Sequence, residues 1–106
     1  MRTLQSLEEF EQLKNNGLTA FLFTADWCPD CHFLDPFLPE IENHFPDFTF
    51  VSVDRDQFLD LCRDLNVFGI PSFIIYKDGK EIGRLVNKNR KTKEEVEEFL
   101  STLSID

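Results

Sequence analysis

The stretch Trp27-Cys28-Pro29-Asp30-Cys31-His32 governs how this chain is read. The run before it, Leu18 to Thr24, is apolar on both alternating faces, the pattern of a strand covered on each side. After it, Leu34, Phe37, Leu38, Ile41 and Phe45 recur at the spacing of one helical face. The two cysteines therefore stand where a strand hands over to a helix. A cysteine at a helix start meets free backbone N–H groups and the positive end of the helix dipole, which favour its thiolate and make it a nucleophile at neutral pH. A second cysteine one turn along is placed to attack the mixed disulfide formed by the first. The arrangement points to thiol–disulfide exchange, with Cys28 as nucleophile and Cys31 as resolving thiol.

With Cys28 as the cap, Pro29 takes the first helical position, where its missing N–H is no loss. The amides of Asp30 and Cys31 then point back at the Cys28 sulfur, while the charges of Asp26 and Asp30 oppose a thiolate. The balance predicts a reductant and not a strong oxidant. Trp27, beside an exposed nucleophile, reads as an apolar lip for docking substrate, because aromatic residues are enriched at interfaces. Plain core is the alternative for Trp27. The same cysteine pair occurs in zinc sites, and with His32 it spells a haem-attachment motif. A zinc site takes about four ligands, and the only further sulfur or imidazole groups are Cys62, His32 and His44. The haem reading conflicts with the strand–helix alternation and with Met1 as the sole methionine. Neither a cofactor nor a metal is expected. Cys62 lies on an apolar helical stripe and is expected to be inert core.

Composition narrows the class. The 106 residues suit one domain, 1–106, and with 42% hydrophobic and 29% charged residues the chain can bury a true core. Twelve phenylalanines against one Trp and one Tyr predict that this core is Phe-rich. A net charge of −9 argues against nucleic acid or an anionic membrane as partner. No stretch approaches the roughly 18 apolar residues of a membrane span, and the N-terminus lacks the apolar run of a signal peptide. Three cysteines make no disulfide framework, so a reducing, cytoplasmic setting is expected. The basic residues are uneven: seven of the eleven fall between Lys77 and Lys93. A solvated loop is the favoured reading, with pairing of Lys88 and Arg90 to Asp30, or steering of anionic substrates, as the alternative.

The remaining elements follow from local signals. Arg2 to Leu4 could be a short strand, and Ser6-Leu7-Glu8-Glu9 is a capping box opening a helix with Leu7, Phe10 and Leu13 inward, stopped at Gly17. Pro36 and Pro39 predict a bent or split second helix. Phe48 to Asp54 reads as a strand, and Phe58, Leu61, Cys62 and Leu65 as another helical stripe. Ser72 to Lys77 and Glu81 to Val86 flank an Asp78-Gly79 hairpin signal. Thr92-Lys93-Glu94-Glu95 opens a last helix with Val96, Phe99, Leu100 and Leu103 inward. The order βαβαβ, then a hairpin and a helix, predicts an α/β fold with a mixed central sheet.

This pattern resembles the thioredoxin family over essentially the whole chain. Ala25 to Cys31 is similar to that family's active-site stretch, Pro36 to its helix-kinking proline, Gly69-Ile70-Pro71-Ser72 to its cis-proline loop, and Tyr76-Lys77-Asp78-Gly79 to its hairpin. The Cys-Pro-Asp-Cys tetrapeptide resembles that of small bacterial thioredoxin-like proteins of the YtpP type and of eukaryotic thioredoxin-related proteins. The resemblance implies a thioredoxin fold, with helices on both faces of the sheet, and cytoplasmic reduction of protein disulfides by Cys28 and Cys31. It implies a cis Ile70–Pro71 bond, with Trp27, Ile70 and Pro71 binding substrate beside an apolar wall at Phe68. It further implies disulfide-containing protein substrates, a thioredoxin-reductase-type electron donor and a monomer without bound cofactor. Glutaredoxin-like removal of low-molecular-weight thiol adducts, or a non-catalytic binding module, are the alternatives. Three positions depart from the family. Leu22 and Phe50 stand where thioredoxin keeps a buried aspartate and its lysine partner, and Asn87 replaces a glycine on the groove rim. The absent aspartate is the group usually assigned to deprotonating the resolving cysteine, a task then left to Asp30, water or the leaving group.

Overall fold

A computed structural model describes residues 1–103. Its five strands are β1 (Arg2–Thr3), β2 (Leu18–Thr24), β3 (Thr49–Asp54), β4 (Ser72–Lys77) and β5 (Lys80–Leu85). They form one sheet in the order β1-β3-β2-β4-β5. The pairs β1/β3 and β2/β3 are parallel, and β2/β4 and β4/β5 antiparallel, so β2 is central as its unbroken apolar run requires. The helices are α1 (Leu7–Lys14), α2 (Pro29–Leu34), α3 (Leu38–His44), α4 (Leu59–Asp64) and α5 (Lys93–Ser101). This is the thioredoxin fold.

Strand alternation divides the apolar side chains between two cores. Phe21 and Phe23 of β2 join Phe10, Val51, Val53, Phe58 and Ile74 on the α1/α4 face. Ala20 and Leu22 join Leu34, Ile41, Phe50, Phe73, Val96 and Leu100 on the face covered by α2, α3 and α5. Phe10, Phe21 and Tyr76 pack with ring centroids 4.7 to 6.1 Å apart, so the phenylalanine-rich core is built partly from aromatic pairs. Two predicted core positions lie outside it: Leu7 is 56% and Phe37 39% exposed. Phe37 falls in a 3₁₀ turn, Asp35–Phe37, between α2 and α3. The tighter winding turns it off the helical stripe and towards Phe33, 6.2 Å away. Leu7 is the first residue of α1, one turn before the helix meets the sheet at Phe10.

The local signals act as expected. Ser6 and Thr92 accept hydrogen bonds from the amides of Glu9 and Glu95, and the Glu9 carboxylate reaches back to the Gln5 amide. Asp78 and Gly79 take positive φ of 49° and 91°, closing the hairpin. The same turn serves α1, because the Gly79 amide donates to the Lys14 carbonyl at 2.8 Å and Asp78 Oδ1 accepts from the Gly17 amide. Between α3 and α5, His44 bonds Glu97 and the Lys93 ammonium pairs with Glu40, an ion-pair cluster joining two helices.

Candidate active site

Cys28 is the N-cap of α2, with φ −88° and ψ 110°, and Pro29 follows in the first turn. Its Sγ accepts a hydrogen bond from the Cys31 amide at 3.2 Å. One of the orphan donors of a helix start is thus aimed at the sulfur. Cys31 is 2% exposed, and burial pushes its thiol up to about 11. The contact with Cys28 adds to that rise, while hydrogen bonds from Thr24 and Ala25 oppose it. One thiol of the pair is therefore held protonated while the other receives a donor.

Across from the pair, the Ile70–Pro71 bond is cis. The Ile70 carbonyl lies 3.9 Å from Cys28 Sγ and receives its weak S–H donor. Gly69 is needed here because a Cβ would sit 2.3 Å from the Asn87 carbonyl oxygen and 2.7 Å from the Lys88 nitrogen. Gly69→Ala is accordingly expected to displace the rim and cost about 1–3 kcal/mol of stability, the usual penalty of overpacking, read as a lower urea midpoint.

An open groove of about 320 Å³ runs along the site, lined by Trp27, Cys28, Phe68, Ile70, Arg55 and Lys88 among others. Trp27 is 58% and Phe68 73% exposed, and both line the groove with Cys28. Cys28 itself is buried at 4% exposure because the cis-proline loop packs against it, and is not the exposed nucleophile expected. Trp27 is held in place: its indole N–H donates to Asp56 Oδ2 at 2.7 Å, and the Arg55 guanidinium stacks 5.6 Å from the ring. Neither Arg55 nor Asp56 stands out in the sequence. The signal was available in the topology, because parallel pairing sets Thr24 opposite Asp54 and brings the residues after both strands to the carboxyl end of the sheet.

Asp30 pairs with Arg90 at 3.0 Å, one of the two outcomes expected for the basic loop, and the Arg90 guanidinium lies 4.5 Å over the Phe33 ring. Lys88 has no ion pair among the described residues. His32 is exposed on α2, where its ring bonds the Asp26 carbonyl and faces Asp35 at 3.3 Å. Beneath the motif, Leu22 and Phe50 are buried with Leu34 and Phe73, a wholly apolar layer. Cys62 is buried in the opposite core, and desolvation pushes its thiol up to about 11, consistent with an inert packing residue.

A mixed sheet whose central strand ends in a thiol-capped helix, opposite a cis-proline loop, defines a thioredoxin-fold protein organised for sulfur chemistry. The chain belongs to the thioredoxin family, whose family model, Thioredoxin, matches residues 3–102. It is 36% identical to a thioredoxin H-type of Fagopyrum esculentum over 84 residues, 78% of this chain and 72% of that one. It is 34% identical to the mitochondrial thioredoxin-3 of Saccharomyces cerevisiae, covering 81% of this chain and 68% of the relative. Among solved structures, the thioredoxin of Trypanosoma brucei brucei superposes with a TM-score of 0.84 at 28% identity, covering 93% of this chain and 86% of the other. The protein is a thiol–disulfide oxidoreductase.

Proposed function

We propose that Cys28 and Cys31 form the redox dithiol of a cytoplasmic reductase of protein disulfides. The observation that carries this reading is the Cys31 amide donating to Cys28 Sγ at 3.2 Å, at a helix start that opens onto an apolar-lipped groove. The Cys28 thiolate attacks one sulfur of a substrate disulfide. A Cys28–substrate disulfide forms as the substrate S–S bond breaks, and the first substrate thiolate leaves and takes a proton. Cys31 then gives up its proton and attacks Cys28 Sγ, closing the intramolecular disulfide and releasing the second thiolate. The substrate gains two electrons and two protons, and the protein loses them. A flavin-dependent, thioredoxin-reductase-type donor restores the dithiol, and the chain works as a monomer without tightly bound cofactor. Trp27, Ile70 and Pro71 hold the substrate segment beside Cys28. Cysteine usage supports the cytoplasmic assignment, and among the described residues no helix is long and apolar enough to cross a membrane. Insulin-disulfide reduction, compared with the Cys28→Ser protein, tests the proposal, and activity that survives the substitution sinks it.

A second reading, removal of anionic small-thiol adducts, is favoured by Lys88, the groove cation without an ion pair among the described residues. Lys88→Glu is expected to slow reduction of acid-flanked disulfides about two- to fivefold relative to base-flanked ones, the scale of one exposed charge, and to change the salt dependence. Equal rates on both substrates at every salt concentration would remove Lys88 from recognition.

A further inference from the structure

Lys91 has no exposed surface, although lysine is almost never fully buried unless paired. Its ammonium donates to the Asn89 carbonyl at 2.9 Å, to Asn87 Oδ1 at 3.0 Å and to the Asn87 carbonyl at 3.4 Å. These acceptors are neutral, and none of the ion pairs among the described residues includes Lys91. A desolvated cation satisfied only by neutral groups keeps its field, which then acts on the surroundings.

The loop that carries Lys91 borders the thiol site. Arg90, the preceding residue, holds Asp30 of the motif at 3.0 Å. Asn87, which receives two of the Lys91 hydrogen bonds, lies against Gly69. The next residue, Ile70, places its carbonyl 3.9 Å from Cys28 Sγ. Burial draws the Lys91 ammonium below the ordinary lysine range, while Glu95, Cys31, Asp30 and Cys28 pull the other way by charge. Leu22 and Phe50, buried among apolar side chains, carry no charge of their own, so the acids that act on the cation are Glu95 and Asp30.

We propose that Lys91 is a positioning residue for the exchange reaction, its buried ammonium stabilising negative charge at Cys28 while its hydrogen bonds brace the 87–89 turn behind the groove. The inference rests on Cys28 as the attacking thiol. The other charged or titratable groups around Cys28 are Cys31, Asp30 with its partner Arg90, Asp26 and His32 at the helix start, and Arg55 and Lys88 across the groove. All of them are unchanged in the test.

The reduced protein is alkylated with iodoacetamide between about pH 5 and about pH 10, bracketing the ordinary thiol range, and the modified cysteine is identified by mass. Lys91→Gln keeps hydrogen-bond donors but loses the charge. Its half-rate point is expected at higher pH, with alkylation at neutral pH slowed roughly tenfold. Lys91→Arg keeps the charge and is expected within about threefold of the parent rate. Asn87→Asp, which neutralises the ammonium without added volume, carries the same expectation as Lys91→Gln and serves if that variant does not fold. A profile superimposing on the parent in either folded variant overturns the proposal, as does a Lys91→Arg profile that follows Lys91→Gln. Because no disulfide substrate is present, these outcomes are separate from any failure of turnover. Alkylation at a cysteine other than Cys28 would instead overturn the dithiol reading and this inference with it.

Discussion

Cys28→Ser is expected to reduce insulin-disulfide reduction to the uncatalysed background, a loss of at least about three orders of magnitude. The thiolate, not the thiol, is the nucleophile in disulfide exchange, and a serine hydroxyl is not ionised at any working pH. The other two cysteines are poor replacements. Burial holds the Cys31 and Cys62 thiols up at about 11, so near neutrality both are protonated, and neither lines the groove. The fold should tolerate the change, since serine is nearly isosteric and its oxygen can accept from the Cys31 amide as a conventional N-cap. An unchanged urea midpoint alongside lost activity is therefore the full expectation. Loss of activity together with collapse of the fold would leave the chemical role of the sulfur unsupported.

Cys31→Ser is expected to stop the reaction half-way, with Cys28 joined to substrate in a mixed disulfide that accumulates towards one per protein and dissolves in dithiothreitol. The reason is kinetic. A resolving thiol held in the same site acts at an effective molarity of roughly 10⁵ M or more when well oriented, far beyond any free thiol in solution. Turnover on protein disulfides should fall by several orders of magnitude while the first chemical step persists. In the parent protein the first step also consumes the free Cys28 thiol, whose hydrogen bond and charge add to burial in raising the Cys31 thiol. Capture of the mixed disulfides from a lysate, followed by mass identification of Cys28-linked proteins, would name the substrates. A Cys31→Ser protein that turned over small-thiol adducts at the parent rate would favour the monothiol route in place of this one.

Much of the site was legible because its first determinants are local. The cap at Cys28, the proline after it, the split helix at Pro36 and the Asp78-Gly79 turn each depend on a few neighbouring residues and on backbone geometry that the residue types impose. The alternation along β2 likewise shows that both its faces are covered. Phe37 marks where local reading fails: helical spacing continued through a segment that winds as 3₁₀, and one residue left the stripe. Leu7 fails differently, since a helix's first residue can satisfy the apolar period before the helix has reached the sheet.

The motif Cys28-Pro29-Asp30-Cys31 thus determined from sequence alone that a thiol caps a helix, because capping is settled within one turn. Only the tertiary structure decided what faces that thiol. Trp27 is braced by a residue 29 positions away, Asp30 by one 60 positions away, and a lysine that composition would place in water is sealed behind the groove. Those partners are chosen by strand order and register, which bring the C-terminal ends of β2 and β3 and the loop after β5 to one end of the sheet. A lysine's burial depends on which loop closes over it, and that is a property of the assembled chain, not of the residues beside it.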